Sequence, residues 1–239
     1  MTAVAGTDHV TLDEFEAFGG LASEELCELE ERFRRVRFPA GTSMGVAERP
    51  GDSIYLVLDG TVKIEAGAKD GSSVILALFG PGELIGEASV VDSLGRSATI
   101  VTIEESEVAW MDGAAFEDCM RRMPQLTENV LGVLSRRLRL ANGHLQSLAT
   151  LDVFGRIAYQ LLALAREFGK AGADGGTCIP IRLTQEDLAG LVGASRVRVN
   201  QAVVTFKRLG YIGVNGNHHI TVHDYAALSR QAGVPEHAA

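Results

Sequence analysis

Cysteine is scarce and scattered. The three present, Cys27, Cys119 and Cys178, lie far apart in the chain. They form neither a disulfide framework nor a closely spaced metal motif. They are expected to be buried or half-buried thiols in a reducing cytoplasm. Long apolar runs are also missing. No stretch approaches the roughly 18 apolar residues that a membrane span needs, so no membrane partner is expected. Met1 to Asp13 has no basic region followed by an apolar stretch, so it does not read as a secretory signal. No segment repeats with a solenoid period. Proline is absent between Pro124 and Pro180, which leaves room for a long uninterrupted helix.

What is present favours a packed protein. Apolar residues make up 46% and charged residues 22% of the 239 positions, so one large domain or two ordinary ones are expected. The net charge of −9 conceals an asymmetry. Residues 1–120 carry 23 acids and 8 bases, whereas residues 121–239 carry 8 acids and 14 bases. The front half is therefore at −15 and the back half at +6. The back half is the candidate for a polyanionic partner.

The chain is organised around the stretch from about Met120 to Thr150. Leu131, Leu134, Leu138, Ala141, Leu145 and Leu148 recur at alternating spacings of three and four, the narrow period of a coiled-coil seam. Arg136, Arg137, Arg139, Asn142, His144 and Gln146 fill positions between them. Gly132 and Gly143 each cost the helix about 1 kcal/mol relative to Ala. A buried Leu contributes roughly 1.5–3 kcal/mol, so the stripe favours pairing two copies of the chain as a parallel homodimer. The competing reading is a single helix lying on its own domain's core.

Before this helix, acid-rich residues from Leu12 to Phe33 read as short helices. From Arg34 to Met111 the texture is short β-rich runs cut by glycines: Val36 to Phe38, Ser53 to Leu58, Thr61 to Ala66, Val74 to Phe79, Ser97 to Ile103 and Val108 to Met111. Asp59-Gly60 and Asp70-Gly71 read as hairpin turns. Short strands at turn-marked intervals predict a sandwich or jelly roll. Ala114 to Met123 reads as a short helix, and Pro124 permits a fresh helical start. After Thr150 a helix opens at Val153 with Phe154, Ile157, Ala158, Leu161, Leu162, Leu164 and Ala165 on its apolar face. A Gly/Ala-rich loop, Gly169 to Gly176, follows, then a short strand from Ile179 to Leu183.

Thr184 N-caps a helix, with Asp187 completing a variant capping box. Val192-Gly193-Ala194 is a tight turn, and Ser195 caps a second helix from Arg196 to Leu209 that stops at Gly210. Its inward face is Val199, Ala202, Val203, Phe206 and Leu209. Two short helices joined by a Gly-bearing turn make a helix-turn-helix. The start of the second helix offers Arg196, Arg198, Asn200 and Gln201, side chains able to read G and A edges in a major groove. Thr184, Gln185 and Lys207 complete the expected DNA face, and Ser195 with its helix N-terminus can hold a phosphate. Two strands around Asn215-Gly216 make a hairpin at the place of a wing. His218-His219 is not read as a metal site, because adjacent residues on a strand face opposite sides.

Leu151 to Ala158, Leu183 to Ala189 and Val192 to Arg196 together resemble the Crp/Fnr family of bacterial transcription regulators, the cyclic-AMP receptor branch most. The likeness covers about Phe15 to Asp224. It implies an α+β chain: a cyclic-nucleotide-binding β-roll of jelly-roll type at 12–119, a dimerisation helix at 120–150 and a winged helix-turn-helix at 151–225. It also implies that Gly80 to Ser89, followed by Arg96 to Thr99, is a phosphate-binding cassette. Gly-rich turns allow backbone N–H groups to approach a phosphate. By that resemblance Arg96 pairs with the cyclic phosphate, Ser97 adds a hydrogen bond, Gly86 supplies a backbone N–H, and Ala88 belongs to the same ligand-binding set. Glu87 accepts from the ribose 2′-OH, and Asn142 meets the base. An Arg–phosphate bond of this kind contributes roughly 1.5–3 kcal/mol.

Two departures stand out. Cyclic-AMP receptors often place a Thr where this chain has Ala141. Family members that read the common TGTGA half-site carry Glu and a later Arg where this chain has Val197 and Gln201. An iron–sulfur sensor would need an N-terminal cysteine cluster, and Cys27 stands alone there. The expectation is a cytoplasmic homodimer that binds a two-fold symmetric duplex and works with RNA polymerase. Its effector would be a non-covalent cyclic nucleotide, cAMP first and cGMP second. No nucleophile–base pair or clustered metal ligands suggest an enzyme. The alternative is a Crp-like regulator that binds DNA without a cyclic nucleotide or answers to another small ligand.

Overall fold

The computed structural model describes residues 5–6, 10–45, 53–67, 73–92, 98–172 and 175–234. The chain divides into two compact units, Met1–Arg139 and Leu140–Ala239.

The first unit holds strands β1 (Ala5–Gly6), β2 (Arg34–Phe38), β3 (Ser43–Gly45), β4 (Ser53–Asp59), β5 (Val62–Gly67), β6 (Ser73–Phe79), β7 (Leu84–Ile85), β8 (Thr99–Thr102) and β9 (Ser106–Asp112). Its helices are a 3-10 turn at Glu16–Phe18, α1 (Ser23–Arg32), α2 (Glu87–Asp92), α3 (Gly113–Arg122) and the first part of α4 (Pro124–Thr150). The strands form two antiparallel sheets, ordered β1-β2-β9-β4-β7 and β3-β8-β5-β6. Strand alternation explains why two cores result. On β4, Tyr55 and Val57 join a cluster with Ile85 of neighbouring β7 and with Val62, Phe79 and Ile100 of the other sheet. Ile54 and Leu56 turn the other way, into a cluster with Phe18, Leu29, Met111, Phe116, Leu126 and Val130. The helices thus cover one face of the first sheet.

Asp59-Gly60 does not close a hairpin. β4 pairs with β7 and β9, and β5 pairs with β6 and β8, so the dipeptide carries the chain from one sheet to the other. Gly60 has φ +81°, and a Cβ there would lie 2.6 Å from the Glu105 carbonyl oxygen. Only glycine satisfies both the left-handed backbone and that approach. Asp70-Gly71 lies outside the described residues, but β5 and β6 pair antiparallel on either side of it. Cys119 is buried and Cys178 partly so, whereas Cys27 is exposed on α1, contrary to expectation.

The second unit contains the end of α4, then α5 (Val153–Phe168), β10 (Lys170–Ala171), β11 (Thr177–Ile179), α6 (Gln185–Val192), α7 (Arg196–Arg208), β12 (Ile212–Val214), β13 (Ile220–Val222) and α8 (Tyr225–Gln231). The strand expected at Ile179 to Leu183 sits earlier in the chain. Pro180 follows Ile179 and has no N–H to offer a ladder, so the pairing with β13 ends at Ile179↔Ile220. The sheet order is β10-β11-β13-β12. Its core includes Ile157, Leu161, Leu188, Leu191, Val199, Ala202, Phe206, Ile212 and Ile220. Phe206 meets Phe154 edge-on at 5.9 Å, a favoured aromatic geometry. Leu209 is 52% exposed and so leaves the inward face assigned to it; α7 ends at Arg208, before the helical period can turn that residue inward.

Gly143 leaves room for a neighbouring side chain. A Cβ there would lie 2.1 Å from the Tyr159 hydroxyl, so a larger residue would displace that ring's tip. Arg156 fastens the same region. It donates to the carbonyl oxygens of Leu148 and Leu151 at 3.1 Å and of Val192 at 3.4 Å, using a cation to satisfy carbonyls at helix ends.

Candidate functional site

Three groups of residues carry chemistry. The first is the cassette of the first unit. Gly82, at φ +92°, forms a turn whose N–H donates to Val57 O at 2.9 Å. Gly86, at φ +100°, turns the chain from β7 into α2. Glu83 and Glu87 flank β7 and are 8% and 4% exposed. Buried carboxylates need partners, and α4 supplies them. Arg137 donates to Glu87 Oε1 at 2.5 Å, to Glu83 Oε2 at 2.7 Å and to the Leu84 carbonyl. Arg136 reaches Glu83 Oε1 at 3.1 Å. The Arg137 guanidinium also sits 4.2 Å from the centroid of the Phe79 ring, a cation–π distance.

Arg136 and Arg137 are thus the contacts to these carboxylates that the sequence pattern does not single out. In the sequence they merely fill positions between the stripe's leucines, yet both reach the carboxylates beside β7. The one available signal was their offset from Leu134 and Leu138 on the helical wheel, which gives them a face of their own. Glu87 lies where a ribose acceptor is expected, already bonded to Arg137. A carboxylate has about four lone-pair sites, so one Arg bond leaves capacity for a hydroxyl. Ala88 is exposed and Gly86 half-buried. Arg96 and Ser97 lie outside the described residues.

The second group is the outer face of α4. Leu126, Val130 and Val133 are buried, so the first turns of the helix do rest on their own unit. The expected stripe is a different face. Leu131, Leu138 and Leu145 are 58%, 63% and 64% exposed, and Leu148 is 36% exposed. Ala141 and Asn142 are exposed as well. Leu134 departs from the pattern, packing partly against the first unit's core.

The third group is the helix-turn-helix. The Thr184 hydroxyl accepts from Asp187 N at 3.1 Å, and Asp187 accepts from Thr184 N at 3.1 Å, a reciprocal capping box. Gly193 takes the left-handed turn at φ +60°, and Ser195 caps α7 by accepting from Arg198 N at 3.4 Å. Buried Val199, Ala202, Val203 and Phe206 fix the rotation of α7. Arg196, Val197, Arg198, Asn200, Gln201 and Lys207 are consequently all exposed. Gln185 Nε2 donates to Asn200 Oδ1 at 2.8 Å, which ties the two helices and orients the Asn200 amide. The wing differs in detail from a two-residue turn. Its loop runs from Asn215 to His219, and the left-handed residue is His218 at φ 62°. Asn215 Oδ1 accepts from Asn217 N and His219 N, both at 3.0 Å, which shapes the loop. Among the described residues, no group of three or more His, Cys, Asp or Glu could hold a metal.

His144 joins α4 to the helix-turn-helix within the second unit. Burial pushes its pKa below the ordinary 6.5, a backbone hydrogen bond to Leu191 pulls it up, and the Arg156 charge pushes it down further. The folded state therefore prefers neutral His144, while the unfolded state titrates at the ordinary value. Below about pH 6.5 the unfolded chain binds more protons, so this group's contribution is present above that pH and is lost as pH falls through the folded pKa. On lowering the pH from about 7.5 to about 5.5, the wild type should lose more thermal stability than His144→Gln. Parallel melting curves at the two pH values check this, and an equal loss in both proteins would contradict it.

Comparison with known proteins follows the same division. Residues 35–123 match the cyclic nucleotide-binding domain, and residues 155–231 match the Crp-like helix-turn-helix domain. The chain is similar to the CRP-like cAMP-activated global transcriptional regulator of Mycobacterium tuberculosis, 37% identical over 216 residues, covering 90% of this chain and 95% of that protein. It is 32% identical over 195 residues to the cyclic AMP receptor protein of Thermus thermophilus, covering 82% of this chain and 87% of that one. Among solved structures, FixK2 from Bradyrhizobium japonicum matches with a TM-score of 0.75 at 18% identity, covering 83% of this chain and 96% of that one.

Proposed function

Since the chain belongs to the Crp/Fnr family of transcription regulators, a family of DNA-binding regulators and not of enzymes, we propose that it acts as a homodimer whose DNA affinity is gated by a cyclic nucleotide, cAMP first, held in the β-roll. The observation that carries this reading is the double use of α4. Arg137 of that helix holds the cassette carboxylates Glu83 and Glu87, and the next residue, Leu138, belongs to the exposed stripe. A nucleotide that engages Glu87 through its ribose must therefore act on the helix that forms the seam. An effector shifts an equilibrium only by binding one state better, and this shared element is what both states would differ in. Arg96 and Ser97 take the cyclic phosphate, Gly86 and Ala88 lend backbone, and Asn142 meets the base.

On the DNA side, Arg196, Arg198, Asn200 and Gln201 read base edges. Thr184, Gln185, Ser195 and Lys207 hold the backbone. Two such helices fit half-sites about 34 Å apart on a two-fold symmetric operator. The relatives' names support cAMP as effector, and membership of a transcription-regulator family supports a cytoplasmic role beside RNA polymerase. Ala141 favours a second reading, in which another small ligand is the effector or none is needed, because it cannot bond an adenine amine.

Thermal melting separates the two readings. A ligand that binds only the native form at 100 times its Kd adds about 2.7 kcal/mol. Saturating cAMP should raise the midpoint by several degrees, and cGMP by less. An unchanged midpoint with both nucleotides would contradict cyclic-nucleotide binding and favour the second reading.

A further inference from the structure

α7 carries two exposed apolar side chains that its buried face does not account for. Val197 is 67% exposed and Val204 55% exposed. They stand seven residues apart, two turns along one face, with Gln201 between them. The buried face of the same helix, Val199, Ala202, Val203 and Phe206, is complete without either. Val197 lies in the first turn, which is the part of such a helix that enters the major groove. Val204 lies two turns farther on. A valine has no donor or acceptor and is stiff at χ1, so it cannot read a base by hydrogen bonding or withdraw by changing its shape. In the major groove the one apolar feature that distinguishes a base pair is the thymine C5-methyl.

Taking as given that the chain binds duplex DNA, we infer that Val197 is a specificity-determining residue that reads a thymine methyl in each half-site. Arg196 before it and Asn200 and Gln201 one turn on supply the hydrogen-bonding contacts around it. Asn200 is already oriented by Gln185. The operator is thereby biased toward a T·A pair at the step facing Val197. Cytosine offers only an N4 donor there, which valine leaves without a partner.

The full-length chain, with and without cAMP, is used to select duplexes from a random pool. Each thymine of the selected half-site is then replaced by deoxyuridine, which removes the methyl and nothing else. One position per half-site should show affinity reduced about fourfold, the loss expected for one buried methyl. Putting 5-methylcytosine opposite guanine there should lose less affinity than plain cytosine. Val197→Ala should abolish the deoxyuridine penalty at that position, and Val204→Ala should leave it in place. Val197→Glu, which supplies an acceptor for the cytosine amine, should exchange the preference from T to C. The inference is overturned if no thymine shows a methyl effect, if Val197→Ala leaves the penalty intact, or if Val204→Ala is the variant that removes it. Selection of no duplex at all under either condition would instead overturn the DNA-binding reading on which it rests.

Discussion

Replacing Leu138 and Leu145 together by glutamate is expected to convert the protein to a monomer and to weaken binding to a two-half-site operator by at least about a hundredfold. Both side chains are nearly two-thirds exposed in the single chain, so the substitution removes little from the protomer's own packing. Across a two-fold seam each change counts twice. Four leucines that would bury roughly 1.5–3 kcal/mol apiece disappear, and four carboxylates face one another instead. The loss of DNA affinity follows from geometry. Two reading heads joined in one particle bind the second half-site at an effective concentration in the millimolar range, and separate heads do not. Sedimentation should report the protomer mass, and circular dichroism should report an unchanged fold. A particle of dimer mass would remove the seam from this face of α4.

Arg137→Ala is expected to cost the first unit about 3–5 kcal/mol, the usual result of removing one partner from a buried ion pair. Glu83 and Glu87 are both nearly inaccessible. Among the described residues Arg137 is the cation paired with Glu87, so the substitution takes that partner from a buried carboxylate. Glu87→Gln in the same background should recover part of the loss, because a neutral amide is far cheaper to bury than an unpaired carboxylate. Urea unfolding followed by tryptophan fluorescence suits this test, since the single tryptophan, Trp110, lies on β9 of the same unit. A midpoint unchanged by Arg137→Ala would mean that the cluster does not hold the cassette together.

The helix-turn-helix was the most legible part of the sequence, because its signals are local. Thr184, Asp187, Gly193 and Ser195 each act within four residues of themselves, and all four adopt the expected conformation. The β-runs were legible as strands for the same reason. Their pairing was not: Asp59-Gly60 has the composition of a hairpin turn, and only the distant partners of β4 and β5 reveal that it changes sheet. The expected strand at Ile179 to Leu183 was misplaced because residues 180–183 are apolar enough for a strand while Pro180 ends the ladder.

On α4 the periodicity identified a stripe but could not assign every member to a partner. Leu134 turns toward its own unit while Leu131 and Leu138 stay outside. The Arg137–Glu87 contact spans 50 positions, beyond the reach of any helical or strand period. The wing loop hid its left-handed residue in His218 because the Asn215 side chain, not the Asn-Gly dipeptide, organises the turn.

The coupling of a ligand in the β-roll to the reading heads is the central claim, and one titration addresses it directly. The full-length protein is added to a fluorescent duplex bearing its two half-sites, with no nucleotide, with saturating cAMP and with saturating cGMP, at one fixed salt concentration because phosphate contacts make affinity salt-dependent. Coupling free energies of 1–3 kcal/mol correspond to roughly 5- to 150-fold. The account predicts that cAMP tightens operator binding by at least about tenfold within that range and that cGMP does less. Identical binding curves under all three conditions would contradict it.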